Sequence, residues 1–416
     1  MTSPVASPSP APLVLGANFP CTLQTPAFGP SQPYVADSPA KAAYVDAVET
    51  ELEALDEELR ARPVRAVHLS GGASIMSADK MCRLVRQIRT TLAVEPRAQI
   101  AIDVDPLTVG TPSLTDWTSC GINRVNLRVW SVLDEELVAL GASHRREHVQ
   151  NAVLFLERFH LNNVSAELLF GLPGQTLASW KQSLRTIAEL GLPHINTRPL
   201  IEASPEKAAQ LPDAETRRTM YEAARELLSE KGYRAYLPGS FVRGDAPHAR
   251  DAFAVALAEG AEVLGLGAGV QSRYDGFLYE NTGDFDRYVR GAANFEAIVE
   301  NPRREGADAA QARVAQGMLD ATAGAAPERE TRAGGAGDAA CGCEAAGADG
   351  TGFTADELAR ACGLAGAGAL EPEVIAWLNA LVARGLASRD AESGRYALTT
   401  AGQMTRLEEF GAALRL

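Results

Sequence analysis

The sequence predicts an α/β fold, a parallel sheet with crossover helices that is either open or closed into a barrel, followed by a small winged-helix module. Two observations carry the sheet. Six short β-type runs alternate with amphipathic helical stretches between about residues 12 and 201, a strand–helix repetition that parallel pairing with crossover helices satisfies. Glycine-rich and acidic landmarks then fall at or near the ends of those runs, where chemistry collects in such sheets. A third observation, two helical patterns and a hairpin pattern after residue 353, carries the module.

The elements follow in order. The start, MTSPVASPSPAP, is Ser/Pro-rich with no basic residue ahead of an apolar core, so it is a poor signal peptide and reads as a disordered arm over 1–11. PLVLGAN (12–18) is the first strand. AAYVDAVETELEALDEELRAR (42–62) has apolar residues at helical spacing. RAVHLSG (65–71), QIAIDVD (99–105), RVNLRVW (124–130), VSAELLF (164–170) and HINTRPL (194–200) are the remaining five strands. Between the last two, LASWKQSLRTIAELG (177–191) is a helix that stops on Gly191. A helix near 215–232 precedes a mixed region to about 300 that holds the turn LGLGAGVQS (264–272). Residues 324–352 are rich in Ala, Gly and acids without apolar periodicity and read as a disordered linker. TADELARACG, EPEVIAWLNALVARGL and ASRDAESGRYALTTAGQ then give two helices and a β-hairpin, a winged-helix-like module over 353–416.

Composition excludes some classes of function. No run approaches the ~18 apolar residues a membrane span needs. Six cysteines in 416 residues make no disulfide framework and favour a reducing cytoplasm. A formal net charge of −14 argues against a nucleic-acid backbone as partner, and the acidity of the winged module argues against DNA there.

The landmarks are specific in combination. The second strand ends in SGGAS (70–74) and the third in DVDP (103–106). The fourth reads NRVNLRVWS (123–131), and the fifth runs into ELLFGLPGQT (167–176). In this order and spacing they resemble the radical SAM coproporphyrinogen oxidase family, which includes the heme chaperone HemW. That family carries a cluster loop C-x3-C-x2-C, a GGGTPS strand end, an E-x-N-P strand end, NR-x-S-x-G-x-Q-S, a GLPGQT turn and LGLG-x-G-A-x-S. The likeness covers roughly 12–300 and 353–416. It implies a partial (β/α)6 radical SAM-type barrel over 12–235, a family-type C-terminal extension over 236–323, and the closing winged unit.

The resemblance also implies a cluster of four irons held by three thiolates, its open iron binding S-adenosylmethionine. Aligned on PCTLQTPAFGP (20–30), Cys21 keeps the first ligand position, while Thr25 and Phe28 stand at the other two. The cosubstrate positions depart as well: Gly71 and Gly72 remain of the glycine run, Asp103 replaces a glutamate, and Trp130 replaces a glutamine. Ala142 replaces an arginine with His144 kept nearby, and Glu167 replaces an aspartate. Arg124 and the GLPGQT turn survive, and both can be scaffold. The resemblance thus leads to a family cluster and S-adenosylmethionine that are expected to be lost here, with Cys21 the residual cluster position.

Other cysteines and histidines have alternative readings. Cys82 and Cys120 fall on predicted helices and read as small buried hydrophobes. Cys341 and Cys343 form a C-x-C in the linker, either exposed there or folded over the barrel mouth beside Cys21. His248, in HARDAF (248–253), stands where HemW-type members carry H-N-x-x-Y-W, a motif associated with heme. It is either the axial ligand of a heme, with Phe253 facing the porphyrin edge, or a surface histidine. His194, at the start of a strand, reads as structural. The leading expectation is a cytoplasmic, cluster-less heme- or tetrapyrrole-binding protein of chaperone type that hands heme to an acceptor protein, without radical catalysis. The alternatives are an active radical SAM coproporphyrinogen oxidase-like enzyme with substitute ligands, and a pseudoenzyme that acts only through protein contacts.

Overall fold

The computed structural model describes residues 12–23, 25–28, 37–202, 204–244, 247–322, 352–362, 364 and 367–413. The N-terminal arm and the linker with Cys341 and Cys343 lie outside the described residues, save for Gly352 at the linker's end.

Six parallel strands pair in chain order: β1 (Leu13–Phe19), β2 (Pro63–Gly71), β3 (Ala93–Val104), β4 (Arg124–Trp130), β5 (Val164–Phe170) and β6 (His194–Pro199). They match the six runs read from the sequence. β3 differs, beginning at Ala93 rather than 99. Its first two residues pair with Pro63 and Val64, and the register then jumps so that Ala66 faces Gln99. Pro96 lies in the skipped stretch; with no N–H to give a ladder it suits a break in pairing.

The sheet extends at both ends. Beyond β6 lie β7 (Tyr233–Leu237) and β8 (Ser240–Arg243), with β8 antiparallel to β6. Beyond β1 lies β9 (Glu262–Leu266), parallel to it, then the antiparallel β10 (Gln271–Tyr274), β11 (Phe277–Asn281) and β12 (Val299–Arg304). The whole is a twelve-stranded sheet in the order β12-β11-β10-β9-β1-β2-β3-β4-β5-β6-β8-β7.

The crossover helices sit where spacing and caps place them. Asp37 caps Ser38–Glu53 by accepting from the Ala40 amide at 2.9 Å, four residues upstream of the expected start. The single helix expected over 42–62 is broken after Glu53, and a short turn, Glu57–Arg60, buries Leu59 before β2. Thr176 caps Leu177–Glu189, and Gly191 follows with a φ of +73°, the left-handed stop its sequence position implied. Asp213 caps Ala214–Glu230. The core lies between these helices and the sheet and includes the fully buried indoles of Trp117 and Trp180.

After residue 300 a second apolar cluster forms. The helices Ala307–Ala321, Ala355–Ala361 and Pro372–Ala383 and the hairpin Ala387–Arg389/Tyr396–Leu398 pack Leu319, Phe353, Leu358, Leu378 and Tyr396 together. A further helix, Thr400–Ala413, pairs Arg406 with Asp320 of the first of these helices at 2.9 Å and returns to the main body, where Met404 and Leu407 join the core and Tyr221 Oη donates to Gln403 Oε1 at 3.0 Å. Among the described residues no helix is long and apolar enough to cross a membrane.

Candidate functional site

A cavity of about 480 Å³ opens at the carboxyl ends of β1–β6. Cys21, Gly71, Gly72, Asp103, Trp130 and Glu167 all line it, so the sheet gathers most of the residues singled out from motifs. Arg124 and His248 are not among them.

Cys21 lies just past β1 and is buried. Burial pushes its thiol up to about 12, with the Lys41 charge pulling the other way, so at neutral pH it is a thiol and not a thiolate. Thr25 is exposed. Phe28 is half-buried and packs with Leu140, Leu172, Leu200 and Trp130. Around it, the Ala27 amide donates to Leu140 O at 2.9 Å and Lys207 Nζ to Ala27 O at 2.8 Å, with the ammonium 5.9 Å from the Phe28 ring. A three-thiolate cradle does not fit this loop: of the three positions one is a cysteine, one an exposed threonine and one a packed phenyl ring.

The two glycines serve the chain itself. Gly71 has a φ of +68°, and a Cβ there would lie 2.6 Å from Phe19 O; at Gly72 it would lie 2.2 Å from Cys21 O. The close approach that glycine permits is therefore to the segment leaving β1. Trp130, at φ +59°, walls the cavity with its ring 5.2 Å from the Arg128 guanidinium and 5.8 Å from the His144 ring. Ala142 is buried. His144 is buried too; its Nε2 donates to Val129 O at 2.9 Å, and desolvation holds its pKa below the ordinary value. Glu167 pairs with Arg198 at 3.2 Å. The GLPGQT turn is braced internally: Gln175 Oε1 accepts from the Gly171 amide at 2.8 Å, and its Nε2 donates to the buried Glu136.

Asp103 is fully engaged. It accepts from His68 Nε2 at 2.8 Å, from Asn126 Nδ2 at 3.2 Å and from the Gly71 amide at 3.2 Å. Burial opposes its charge, but His68 and these donors outweigh that, and its pKa is lowered. For His68, burial opposes protonation, yet the Asp103 charge and hydrogen bond shift its pKa upward. Asn126 passes the network on, accepting from Ser165 Oγ at 2.6 Å and Arg124 Nε at 3.1 Å. Sequence reading overlooked His68, Asn126, Asn196 and Asp251, which form the polar floor of the cavity. The available signal was a histidine inside the apolar strand RAVHLSG.

Arg124 lies beneath that floor at the amino ends of the strands. It is fully buried, and its Nη1 donates to Asn163 Oδ1 at 2.7 Å and Ala249 O at 2.8 Å. Residues 247–258 plug this end. His248 is exposed on the turn Pro247–Ala249, its backbone carbonyl accepting from Asn163 Nδ2 at 3.2 Å, and its imidazole has no hydrogen-bond partner among the described residues. His248 and the cavity mouth are thus at opposite ends of the barrel. Phe253 corrects an expectation. It does not face outward toward a porphyrin but is buried against Val14, Ala66 and the edge of the His68 ring, 5.4 Å away, because the helix Ala252–Ala258 turns its apolar face inward. His194 is buried with Nε2 2.7 Å from Tyr236 Oη, a structural contact. Cys82 and Cys120 are buried between outer helices.

No family model matches the chain. Among curated proteins, the heme chaperone HemW of Lactococcus lactis is 24% identical over 267 residues, 62% of this chain and 69% of that protein. HemW of Escherichia coli K12 is 28% identical over 206 residues, 48% of this chain and 54% of that protein. Anaerobilin synthase of Escherichia coli O157:H7 is 25% identical over 256 residues, 58% of this chain and 56% of that protein. The matched segments thus span little more than half the length of several of these relatives. Among solved structures, HemN of Escherichia coli, a coproporphyrinogen III oxidase described as a radical SAM enzyme, superposes with a TM-score of 0.74 at 19% identity. The superposition covers 98% of this chain and 91% of that one and shows a common fold.

Proposed function

We propose that this chain, similar in sequence to HemW and in fold to HemN, binds heme or a related tetrapyrrole and carries no radical chemistry. The observation that supports the loss is Phe28. A four-iron cluster needs three thiolates, and here a third-position phenyl ring is packed into Leu140, Leu172 and Leu200 instead. Cys21 alone supplies one of the three thiolates that a cluster needs. The cosubstrate would lose its iron anchor, and Trp130 offers it an indole ring in place of an amide. When bound, a cluster of this kind would supply an electron for reductive cleavage of S-adenosylmethionine; among the described residues no three His, Cys, Asp or Glu side chains are grouped to hold a metal.

Heme is the cargo in this reading, and His248 its protein ligand. The exposed imidazole stands on a turn fixed by Asn163 and Arg124, so iron could be ligated at the surface without opening the barrel. A shallow site of that kind suits delivery to an acceptor protein.

The test is one anaerobic visible spectrum series on the full chain, before and after iron–sulfide reconstitution and then with heme. The expected result is far less than one four-iron cluster per chain and a Soret band that shifts in His248→Ala but not in His144→Ala. Near-stoichiometric iron and sulfide that vanish in a Cys21, Cys341 and Cys343 triple variant would replace this reading with an active radical SAM enzyme. An unchanged Soret position and affinity in His248→Ala would remove the heme assignment.

A further inference from the structure

The floor of the cavity presents three groups whose hydrogen-bonding capacity the protein leaves open. Asp251 is more than nine-tenths buried; its carboxylate caps the helix Ala252–Ala258 through Oδ1, which accepts from the Ala254 amide at 3.0 Å, and its other oxygen has no partner among the described residues. Asn196 is likewise more than nine-tenths buried; its Oδ1 accepts from Ser240 Oγ at 2.9 Å, while its Nδ2 has no partner among the described residues. His68 gives Nε2 to Asp103, which fixes the tautomer and leaves Nδ1 as an unpartnered acceptor. All three line the same cavity, and Asp251 and His68 are electrostatic neighbours. These three atoms are not sealed from solvent, so each can be solvated through the cavity and can exchange that water for a ligand group.

The charge around this floor is negative. Asp103, Asp105, Glu167, Asp251 and Glu280 line the cavity, against Arg128 and Arg198. Glu167 is matched by Arg198 and Asp103 by His68, and Arg124 lies below Asp251. A whole chain at −14 adds long-range attraction for cations. Above the floor the wall turns apolar at Trp130, Leu169 and Leu200.

We infer that the cavity binds a small organic cation: a primary ammonium with a neighbouring oxygen and an apolar or aromatic body. The ammonium donates to the free Asp251 oxygen and to His68 Nδ1, the oxygen accepts from Asn196 Nδ2, and the body lies along Trp130, Leu169 and Leu200. About 480 Å³ is within the range of small-molecule sites. Heme binding at His248 is a separate matter, since that residue is at the other end of the barrel.

A proton linkage follows. His68 faces Asp103 from β3, Asn126 and Arg124 from β4, and Asp251 and Phe253 from the plug. A protonated imidazole is itself attracted to the Asp251 carboxylate and repels the ligand's ammonium, so binding expels a proton. Affinity therefore falls as pH drops below the imidazole's pKa, by about tenfold per pH unit.

The experiment is calorimetry on the full chain with phenylalaninol, with 3-phenylpropanol as the neutral control and 3-phenylpropionate as the charge-reversed control, at pH 6, 7 and 8. Phenylalaninol alone should bind well, most tightly at pH 8, and titration in buffers of different ionisation heat should show proton release. Asp251→Asn, which keeps the helix cap, should weaken binding at least about tenfold, the usual cost of one charge-assisted hydrogen bond. His68→Asn should abolish the pH dependence. Equal binding of 3-phenylpropionate, no binding of phenylalaninol at millimolar concentration, or an affinity flat from pH 6 to 8 in wild type overturns the inference, the last without recourse to any variant.

Discussion

Glu51 offers a direct test of how the cavity rim is held. It projects from the helix Ser38–Glu53 into a buried site beneath the turn after β9, and Ala268 and Gly269 of that turn border the cavity. Its carboxyl accepts from Tyr288 Oη at 2.5 Å, Asn281 Nδ2 at 2.7 Å and the Gly267 amide at 2.8 Å. Burial raises its pKa from 4.5 to about 7, the three donors offsetting only part of the desolvation. In the unfolded chain Glu51 ionises near 4.5; in the folded chain it stays protonated until about 7. Folding takes up a proton between those values, so this group's contribution is fully present below pH 4.5 and is lost as pH rises through 7. At about 1.4 kcal/mol per tenfold change in the ionisation constant, the whole loss is roughly 3 kcal/mol, and about 2 kcal/mol of it falls between pH 5.5 and 8. The assay is urea denaturation of wild type and Glu51→Gln across that range. The variant contributes a constant offset, since glutamine does not titrate, and the slope of the difference is diagnostic. Wild type should lose about 2 kcal/mol relative to the variant on going from pH 5.5 to 8. A difference independent of pH would mean that Glu51 is already ionised in the folded chain at pH 5.5, and the account of the rim would fail.

Two further perturbations probe other parts of the molecule. Phe28→Ala should cost about 1–2 kcal/mol, less than a fully buried phenylalanine because the ring is only half-buried; the readout is faster proteolysis within residues 20–28, and an unchanged rate would show that the ring does not pin the loop. His194 is buried neutral, with a pKa held well below its ordinary value first by desolvation and then by the Arg124 charge. Its contribution is present above pH 6.5 and lost as pH falls, so His194→Gln should flatten the acid side of the stability profile; an acid limb identical to wild type would count against it.

The six parallel strands were legible because each is a short β-type run, buried on both faces, set between amphipathic helices. β7 to β12 were not, since most are short and pair through hairpins whose partners share no period. The helix over 42–62 was read as one because helical spacing continues through Leu55 and Leu59, and spacing alone does not mark the break after Glu53. At the site, motif reading found the strand-end residues, whose positions in the chain define them. It missed His68, Asn196 and Asp251, which meet only because β2, β6 and the plug after β8 converge on one floor. It also offered Phe253 to a porphyrin edge, since local sequence gives no sign that the helix turns its face to the barrel.

The same convergence explains how such a barrel can keep its shape while its mouth changes. The residues that hold the sheet to its helices, such as Leu127, Leu168, Trp180 and Tyr221, are packed in the main core. Those at the mouth, Phe28, Trp130, Leu140 and Leu200, form a separate small cluster with its own contacts. Two packed groups that share no side chains couple weakly, so substitutions in one leave the other's stability nearly unchanged. The polar floor is a third set, tied to the scaffold through Arg124 and Asn126 and not through the loop of Cys21. No side chain of the floor takes a contact from Thr25 or Phe28, so the residues at those two positions can vary without disturbing it. The ligand site proposed at Asp251, Asn196 and His68 is therefore independent of which residues stand in the loop of Cys21.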